Sequence, residues 1–298
     1  MSEPLTSVGI VGGGFMGVGI AETTAIAGIP VVLRELPEYL DATRHRLEAS
    51  LDRAVKRGSY DAAERDSALA RITLTSELND LADAELVIEA VPEQLELKTS
   101  IMQALGGIVG DHAVIASNTS SIPITQLASA VHNPDRVIGL HFFSPVPVMA
   151  LVEVVRALDT SDETLEKAHA FVDRLGKQAI ETKDRSGFIV NMLLVPYLMA
   201  AVRMYEDDFA TREDIDKGMK LGTGVPMGPL TLCDFIGLDV LHAVCNSLYD
   251  EYKRDEYAPP PLMRRMIEAG RLGRKSGRGF YDYAAPAKEI RAEAVATV

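Results

Sequence analysis

One histidine and one glutamate lie in two successive segments of the 298-residue chain that are otherwise apolar. His141 stands near the end of VIGLHF (137–142), and Glu153 stands in the middle of LVEVV (151–155). Both segments have the composition of buried strands, so one reading is a satisfied core histidine and an edge carboxylate. A neutral imidazole near pH 7 also accepts a proton from an alcohol, and a carboxylate beside it orients the ring and stabilises its protonated form. The two residues predict a general base, provided that the two strands are neighbours.

A phosphate-binding pattern lies in the segment GGGFMG. Gly12, Gly14 and Gly17 fit G-x-G-x-x-G, with Phe15 and Met16 between the last two glycines. A strand-like segment precedes the pattern and a helical one follows it, so the glycines would let the backbone approach a pyrophosphate at the helix N-terminus. A simple tight turn is the alternative, and the strand–loop–helix context disfavours it. We expect a bound dinucleotide.

The next predicted strand, VVLRE, ends at Glu35, about 20 residues after the glycines, where a carboxylate binds ribose hydroxyls. That carboxylate would repel the 2′-phosphate of NADP, which favours NAD. Arg34 beside it leaves NADP as an alternative cofactor, since a guanidinium group can bind this phosphate. Oxidation of an alcohol by NAD also releases the hydroxyl proton, which would give His141 a task as base.

Polar residues also follow two other predicted strands. The strand LVIEAV leads to Glu89, Glu93 and Lys98, and the strand AVIAS leads into SNTSS (117–121). A run such as SNTSS is commonly a turn with side-chain-to-backbone hydrogen bonds. Because ligands bind beyond the carboxyl ends of strands in open α/β sheets, we expect these residues near the cofactor.

Short apolar segments alternate with helical periodicity up to about residue 185, which predicts an α/β fold with a mostly parallel, Rossmann-type sheet. The strands are expected at 7–12, 30–35, 86–91, 113–117, 137–142, 151–155 and 178–182, and the helices at 16–28, 38–57, 95–109 and 162–175. After this point strand signals are weak. We therefore predict an NAD-binding domain over 1–185 and a smaller all-helical substrate and dimerisation domain over 186–298.

The second half has long helical patterns. Pro196 is expected to kink the first helix, Thr211 to begin the next and Gly222 to end it. The segment PLTLCDFIGLDVLHAVCNSLYDEYK is expected to form one further long helix. Its apolar excess suggests a subunit interface.

Composition excludes several classes of partner. A net charge of −13 disfavours nucleic acid and anionic membranes, and no apolar run reaches the roughly 20 residues of a membrane span. The N-terminal sequence lacks the features of a signal peptide. Cys233 and Cys245 lack the spacing of a metal or redox motif, and the histidines form no metal-binding cluster. We expect a cytoplasmic protein without a metal site.

Seven motifs, taken in order, resemble the L-3-hydroxyacyl-CoA dehydrogenase family: GGGFMGVGIA, EAVPE, SNTSS, GLHFFSPVPVMALVEVV, GFIVN, PMGPL and KSGRGFYDY. The resemblance extends from residue 7 to about residue 283 and is closest to the short bacterial form that acts on 3-hydroxybutyryl-CoA. It implies reversible NAD-dependent oxidation of an L-3-hydroxyacyl-CoA thioester and a homodimer formed through the C-terminal domain.

The resemblance also implies roles for individual residues. His141 would be the catalytic base and Glu153 its partner, while Ser120 and Asn191 would contact the substrate, Ser120 also lying near the nicotinamide. Glu35 would bind the adenosine ribose. The cofactor site would further include Glu93, Lys98 and Lys275.

Three positions depart from the family pattern. Ser144 stands where many members have an asparagine that contacts NAD, and a serine keeps one hydrogen-bonding group on a shorter side chain. Ser186 replaces a common proline, and Met192 replaces a frequent arginine.

Residues 46–57 carry a basic stripe. If they form a helix, Leu47, Leu51, Ala54 and Val55 face the core, and the opposite side carries Arg46, Ser50, Arg53 and Arg57. Such a stripe is commonly a solvated face. Guanidinium groups also bind phosphates, and the family resemblance implies CoA contacts here, with Ser50 and Arg57 as candidates and Lys56 as a substitute for Arg57.

Two other functions stay open at this stage. The same chemistry could act on a hydroxyacyl-carrier protein or a small hydroxy acid, which would need no site for the phosphates of CoA. The chain could also be a non-catalytic relative with the same fold, although Ser120, His141, Glu153 and Asn191 are all retained.

Overall fold

The computed structural model describes residues 5–283. The ends of the two predicted domains, residues 1–4 and 284–298, lie outside the described residues. Contacts between residues divide the chain after Phe188 into two units, which are described in turn.

The first unit is built on one eight-stranded sheet. The strands are β1 (Val8–Val11), β2 (Val31–Arg34), β3 (Ile72–Thr75), β4 (Leu86–Glu89), β5 (Val114–Ser117), β6 (Val137–Phe142), β7 (Leu151–Arg156) and β8 (Gln178–Lys183). Their order is β3-β2-β1-β4-β5-β6-β7-β8, and every neighbouring pair is parallel except β6 and β7, which are antiparallel. The predicted α/β class with a mostly parallel sheet is confirmed.

Helices cover both faces of this sheet, which is why its central strands contain continuous apolar residues. The helices are α1 (Phe15–Ile26), α2 (Leu40–Lys56), α3 (Ala62–Ala70), α4 (Leu95–Ile108), α5 (Ile124–Ala128) and α6 (Asp162–Arg174). The β1, β4, β5 and β6 strands are buried along their whole length. Two apolar clusters, one on each face, form the core.

Three elements of this unit, α3, α5 and β3, were not expected from the sequence. Strand β3 lies at the edge of the sheet and has only one buried residue, so it lacks the apolar run that marks the central strands. Helix α3 begins at a capping box in which Asp61 and Glu64 accept each other's backbone N–H. The D-x-x-E pattern at 61–64 is the signal that could have identified it.

The second unit is helical over its described residues. It contains α7 (Val190–Glu206), α8 (Arg212–Thr223), α9 (Pro229–Ile236), α10 (Leu238–Tyr252) and α11 (Pro261–Glu268). Thr211 caps α8 as predicted, accepting the N–H of Asp214, but the helix continues past Gly222 to Thr223 and is capped by Gly224, whose φ is +77°. The expected long helix over PLTLCDFIGLDVLHAVCNSLYDEYK is wrong. It is broken at Gly237, whose φ of +99° turns the chain between α9 and α10 by 98°.

No single helix in residues 5–283 is long and apolar enough to cross a membrane; only α9 and α10, taken together as a bent pair, have the required length and composition. Their apolar side chains, among them Leu230, Leu238 and Leu248, are buried in the core of the second unit.

Two buried carboxylates organise the second unit. Asp216 accepts the N–H groups of Leu230 and Thr231 at the start of α9, and also the hydroxyl of Tyr281. Asp234 accepts the N–H groups of Phe280 and Tyr281 and the hydroxyl of Tyr283. These bonds attach the segment 279–283 to α8 and α9, which accounts for the PMGPL and KSGRGFYDY motifs in structural terms.

Candidate active site

The glycine loop follows β1 and begins α1. Gly12 has a φ of +107°, and a Cβ there would lie 2.7 Å from the carbonyl oxygen of Ala90. A Cβ at Gly17 would lie 1.8 Å from the carbonyl oxygen of Gly12. Both positions therefore require glycine so that the loop can fold tightly against β4 and α1.

Gly14 differs from these two glycines. It is exposed, and no atom outside its immediate chain neighbours lies within 4 Å of the position that a Cβ would occupy. A glycine there leaves the backbone open to a ligand, directly before the N–H groups of the first turn of α1 at Phe15, Met16 and Gly17. This open space and these N–H groups fit the pyrophosphate of a dinucleotide.

Glu35 closes the loop from the end of β2. One carboxylate oxygen accepts the N–H of Gly13 at 2.7 Å, and the other accepts the N–H of Leu36 at 2.7 Å. Each carboxylate oxygen keeps a further acceptor position for a ribose hydroxyl. Arg34 is the residue that left NADP as an alternative cofactor. It donates its Nε–H to the carbonyl of Ser76 at 3.1 Å.

A buried ion pair lies beyond the end of β4. Lys98 donates to Glu89 at 2.7 Å, and Glu89 also accepts the hydroxyl of Ser117 at 2.6 Å. Lys98 and Glu89 are both almost completely buried. Lys98 is a predicted cofactor residue, and in the structure its ammonium contacts the carboxylates of Glu89 and Glu93.

Glu93 organises the SNTSS loop. Its Oε1 accepts the hydroxyl of Thr119 at 2.6 Å, the N–H of Ser120 at 2.9 Å and the N–H of Ser121 at 3.1 Å. Burial would raise the pKa of Glu93, but the Lys98 ammonium and these hydrogen bonds outweigh burial and lower it. Glu93 is therefore a fixed anion that holds Ser120 at the carboxyl edge of the sheet.

His141 and Glu153 lie directly opposite each other on the antiparallel strands β6 and β7. Nδ1 of His141 is 2.6 Å from Oε2 of Glu153, and both side chains are buried. Phe143 and Phe188 pack on the imidazole, with ring centroids 4.6 and 5.4 Å away. Because an ionised carboxylate only accepts, Nδ1 is the donor in this hydrogen bond, and a neutral imidazole ring then has its lone pair on Nε2.

A cleft of about 330 Å³ lies beside α1 and α2. The predicted stripe lines one side of it. Leu47, Leu51 and Ala54 are buried as expected, whereas Val55 is only half-buried. Its lining residues are Phe15, Val18, Gly19, Arg46, Ser50, Arg53, Arg57 and the segment 145–148. Lys56 does not line it, so Arg57 is the better candidate of the two.

The segment after β6 is held by a lysine that the sequence did not single out. Lys177 is buried and donates to the carbonyls of Val146 and Met149 at 2.6 and 2.7 Å. Burial lowers the pKa of its ammonium group. On the other side, Gly19 of α1 leaves room for Val146, whose Cβ would lie 2.9 Å from a Cβ at that glycine. Lys177 and Gly19 therefore fix the position of the segment 145–148, which lines the cleft.

The carboxyl edge of the sheet brings the glycine loop together with four predicted residues: Glu35, Glu93, Ser120 and His141. Ser144 lies nearby in the chain and is exposed. Asn191 and Lys275 belong to the second unit, where Asn191 lies in the first turn of α7 and Lys275 pairs with Asp239 at 2.5 Å. Their predicted roles remain predictions.

Sequence reasoning did not single out Asn118, whose side-chain oxygen accepts the N–H of Phe142 at 2.9 Å. This bond ties the SNTSS loop to the end of β6, beside His141. An asparagine directly after a buried strand was the available signal, but the sequence does not show which backbone group it contacts.

Two family models match the chain, and together they cover most of it. The NAD-binding domain of 3-hydroxyacyl-CoA dehydrogenase matches residues 7–185, and the C-terminal domain of 3-hydroxyacyl-CoA dehydrogenase matches residues 187–283.

Individual relatives agree with these matches. A 3-hydroxybutyryl-CoA dehydrogenase of Mycobacterium tuberculosis is 52% identical over 286 residues, which are 95% of this chain and 100% of that protein. The crystal structure of M. tuberculosis FadB2 has a TM-score of 0.93 at 51% identity, covering 95% of this chain and 100% of that one. The crystal structure of (S)-3-hydroxybutyryl-CoA dehydrogenase PaaH1 from Ralstonia eutropha has a TM-score of 0.89 at 46% identity. The match covers 94% of this chain and 100% of that one. With the glycine loop and the Rossmann-type sheet, these matches show that the chain belongs to the 3-hydroxyacyl-CoA dehydrogenase family of NAD-dependent oxidoreductases.

Proposed function

We propose that this enzyme catalyses the reversible oxidation of a short-chain L-3-hydroxyacyl-CoA, 3-hydroxybutyryl-CoA, to the 3-ketoacyl-CoA. The observation that carries the proposal is the buried His141–Glu153 pair at the sheet edge that also holds the glycine loop. The acyl chain follows from the names of the M. tuberculosis and R. eutropha relatives, which align over their full length.

In the proposed reaction, Nε2 of His141 takes the proton of the C3 hydroxyl as the C3–H bond breaks and the C3=O bond forms. Glu153 accepts the Nδ1–H and stabilises the imidazolium that results. Phe143 and Phe188 hold the ring in place and keep water from its faces. General-base assistance of this kind contributes roughly 10²–10⁴-fold to the rate.

NAD, when bound, supplies the acceptor for the hydride that leaves C3. We propose that the glycine loop and the first turn of α1 hold its pyrophosphate and that Glu35 binds its adenosine ribose. Further contacts come from Glu93, Ser144 and Lys275, while Lys98 acts through Glu93, because its own ammonium is buried.

Ser120 and Asn191 are proposed to hold the substrate oxygen and align C3 with the nicotinamide. The support for Ser120 is its place at the carboxyl edge of β5, where Glu93 fixes its N–H. Alignment of this kind supplies much of the rate enhancement that general-base catalysis leaves unexplained.

The cleft beside α1 and α2 is proposed to bind the nucleotide part of CoA. Arg46, Arg53 and Arg57 converge on it, although the chain as a whole is acidic. Guanidinium groups bind phosphate oxygens in a bidentate manner. Ser50, whose hydroxyl donates to Glu22, keeps an acceptor position for a donor group of the nucleotide.

We propose residues 1–185 as the NAD-binding domain and 186–298 as the substrate and dimerisation domain of a cytoplasmic homodimer. The family models meet at this boundary, within a few residues of the division after Phe188. Large exposed apolar side chains on the second unit support the dimer: Leu193, Phe209, Leu221, Phe235 and Val240.

The experiment is NADH oxidation with acetoacetyl-CoA, beside parallel reactions with free acetoacetate and with NADPH. We expect rapid oxidation of NADH with the thioester alone. Equal activity with free acetoacetate would contradict the CoA cleft, and a requirement for NADPH would contradict the assignment of Glu35. A folded protein without activity would contradict the proposed substrate and favour a carrier-bound substrate or a non-catalytic role.

A further inference from the structure

Glu22 is a buried carboxyl group beneath the basic stripe. It is the one acidic residue of α1, a helix otherwise composed of apolar residues, glycines and threonines, and its exposed fraction is 0%. Buried carboxylates are costly unless every oxygen is hydrogen-bonded. The sequence of α1 itself does not explain why a carboxyl group is buried at this position.

Only one oxygen of Glu22 has a hydrogen-bond partner among the described residues. Ser50 donates its hydroxyl to Oε2 at 2.5 Å, while Oε1 is buried and has none. Ser50 lines the proposed CoA cleft together with Arg53, one turn further along α2, and Arg57, at the end of that helix. Through this hydrogen bond, Glu22 connects α1 in the core of the first unit to the arginine-lined side of the cleft.

We propose that Glu22 is a positioning residue of the CoA cleft. Its carboxyl group fixes the hydroxyl of Ser50 and, when ionised, offsets the positive charge of Arg53 and Arg57, so the cleft binds the phosphates of CoA more tightly when Glu22 is neutral. This inference rests on the proposed function, because it takes the cleft to be the CoA site.

The surroundings of Glu22 give the direction of its pH dependence. Burial raises the pKa of Glu22, and it outweighs the opposing effects of the hydrogen bond from Ser50 and of the charges of Arg57 and Arg53. The remaining titratable neighbour is Tyr60, whose pKa is raised by burial and by Glu22. Helix α3, which packs on α1, carries Glu64, whose negative charge also raises the pKa of Tyr60. The strands β1 and β2, which also pack on α1, contribute buried apolar side chains.

Glu22 therefore loses its proton at a higher pH than an exposed glutamate does. As pH rises through this range, the negative charge develops beneath the arginines and the affinity for CoA phosphates falls. Glu22→Gln removes this charge, so the variant should not lose affinity for CoA phosphates in this way. At the alkaline end it should bind CoA about three- to tenfold more tightly than the wild type.

The experiment compares the KM for acetoacetyl-CoA of Glu22→Gln and wild type from about pH 5.5 to about pH 9. The ratio of the two KM values is reported at each pH, because the ionisation of CoA itself then cancels. We expect the ratio to fall as pH rises and to lie about three- to tenfold below one at the alkaline end, while kcat and the KM for NADH change less than about twofold. Glu48→Gln, which removes the same charge from α2 outside the cleft, serves as the matched control.

A second substrate separates charge from general disturbance. Acetoacetyl-N-acetylcysteamine carries the same acyl thioester without phosphates, so its KM ratio should stay near one at every pH. A ratio that is constant with acetoacetyl-CoA, or that changes equally with the truncated thioester or with Glu48→Gln, overturns the inference.

Folding of Glu22→Gln is checked by its melting temperature. Because the folded pKa of Glu22 is raised, wild-type stability falls as pH rises through that pKa. The melting temperature of the variant should therefore rise relative to that of the wild type as pH rises, and exceed it at the alkaline end. A lower melting temperature at both ends would show a purely structural role for the carboxyl group and overturn the inference.

Calorimetric binding of CoA keeps this inference separate from the proposed function. Binding of CoA without turnover of acetoacetyl-CoA would contradict the proposed function alone. Unchanged CoA affinity in Glu22→Gln at about pH 8.5, in an enzyme that turns over acetoacetyl-CoA, would contradict the role of Glu22 alone.

Discussion

At the scale of single residues, two histidine–glutamate pairs among residues 5–283 lie in opposite settings. His141 and Glu153 are buried and 2.6 Å apart, whereas His169 and Glu181 are 3.0 Å apart at the surface. Only the buried pair lies at the carboxyl edge of the parallel strands. The surface pair therefore provides an internal control for the catalytic assignment.

We expect His141→Ala to lower kcat by roughly 10²–10⁴-fold, because the hydroxyl proton loses its acceptor. NAD binding should be almost unchanged, since the glycine loop and Glu35 do not contact this histidine. Steady-state kinetics and NAD titration check both expectations. His169→Ala should retain wild-type kcat, and an equal loss in the two variants would contradict the assignment of His141.

The pair itself could be predicted from the sequence, because a histidine and a glutamate in two adjacent apolar strands leave few alternatives. The SNTSS loop was expected near the site, but not that Glu93 would hold it through three consecutive residues. Glu22 could not be predicted. In the sequence it is one acid in a helix, and only the packing of α1 on α2 shows that it lies beneath Ser50.

At the scale of elements, the exposed face of α2 carries the arginines that we propose distinguish a CoA thioester from a free acid. Arg53→Glu with Arg57→Glu should raise the KM for acetoacetyl-CoA about tenfold or more and leave the KM for NADH unchanged, because charge repulsion replaces phosphate binding. Initial-rate kinetics with each substrate varied in turn measure both constants.

The matched control for this charge reversal is Arg44→Glu with Arg71→Glu. Both arginines are exposed in the same unit and lie outside the cleft. A rise in the KM for NADH as large as that for the thioester, or an equal effect of the control, would count against the cleft as the CoA site.

The turn between β1 and α1 provides a test of the cofactor site that does not disturb the fold. Gly14→Ala places a methyl group in open space with an ordinary φ of −69°, so the melting temperature should change by no more than about 2 °C. The affinity for NAD should fall about tenfold or more, since the methyl group occupies the approach to the backbone. Calorimetry and thermal melting give the two readouts.

Gly107→Ala is the comparison for this substitution. Gly107 lies in α4 with no atom near its added Cβ, so alanine should stabilise the helix by about 0.5–1 kcal/mol and leave NAD binding unchanged. Wild-type NAD affinity in Gly14→Ala would show that no ligand approaches the loop there.

Elements in the centre of the sheet were predictable because burial on both faces leaves a continuous apolar run. The edge strand β3 was missed, since an edge position with one buried residue relaxes that requirement. Helices α9 and α10 were merged for a related reason: the apolar pattern continues across Gly237, and the break depends on a backbone angle that the pattern does not encode.

At the scale of the whole molecule, the proposed dimer depends on the exposed apolar side chains of the second unit. Leu221→Glu should convert the dimer to monomer, because Leu221 of α8 is 77% exposed and a charge there would be buried at the interface. Sedimentation velocity measures the mass. Leu158→Glu, at an 85% exposed leucine of the first unit, should leave the dimer intact. A wild-type monomer would contradict the proposal directly.

Asp216 and Asp234 tie the last described residues of the chain into the middle of its second unit. Both carboxylates are in place on α8 and α9 long before Phe280, Tyr281 and Tyr283 leave the ribosome, and these later residues supply several of their hydrogen bonds. A buried carboxylate without its donors is unfavourable, so this unit cannot complete its core before residues 279–283 have been made. Folding of the second unit therefore waits for the synthesis of residues 279–283, and truncation of the chain before Gly279 should leave both carboxylates without several of their donors and lower the stability of this unit.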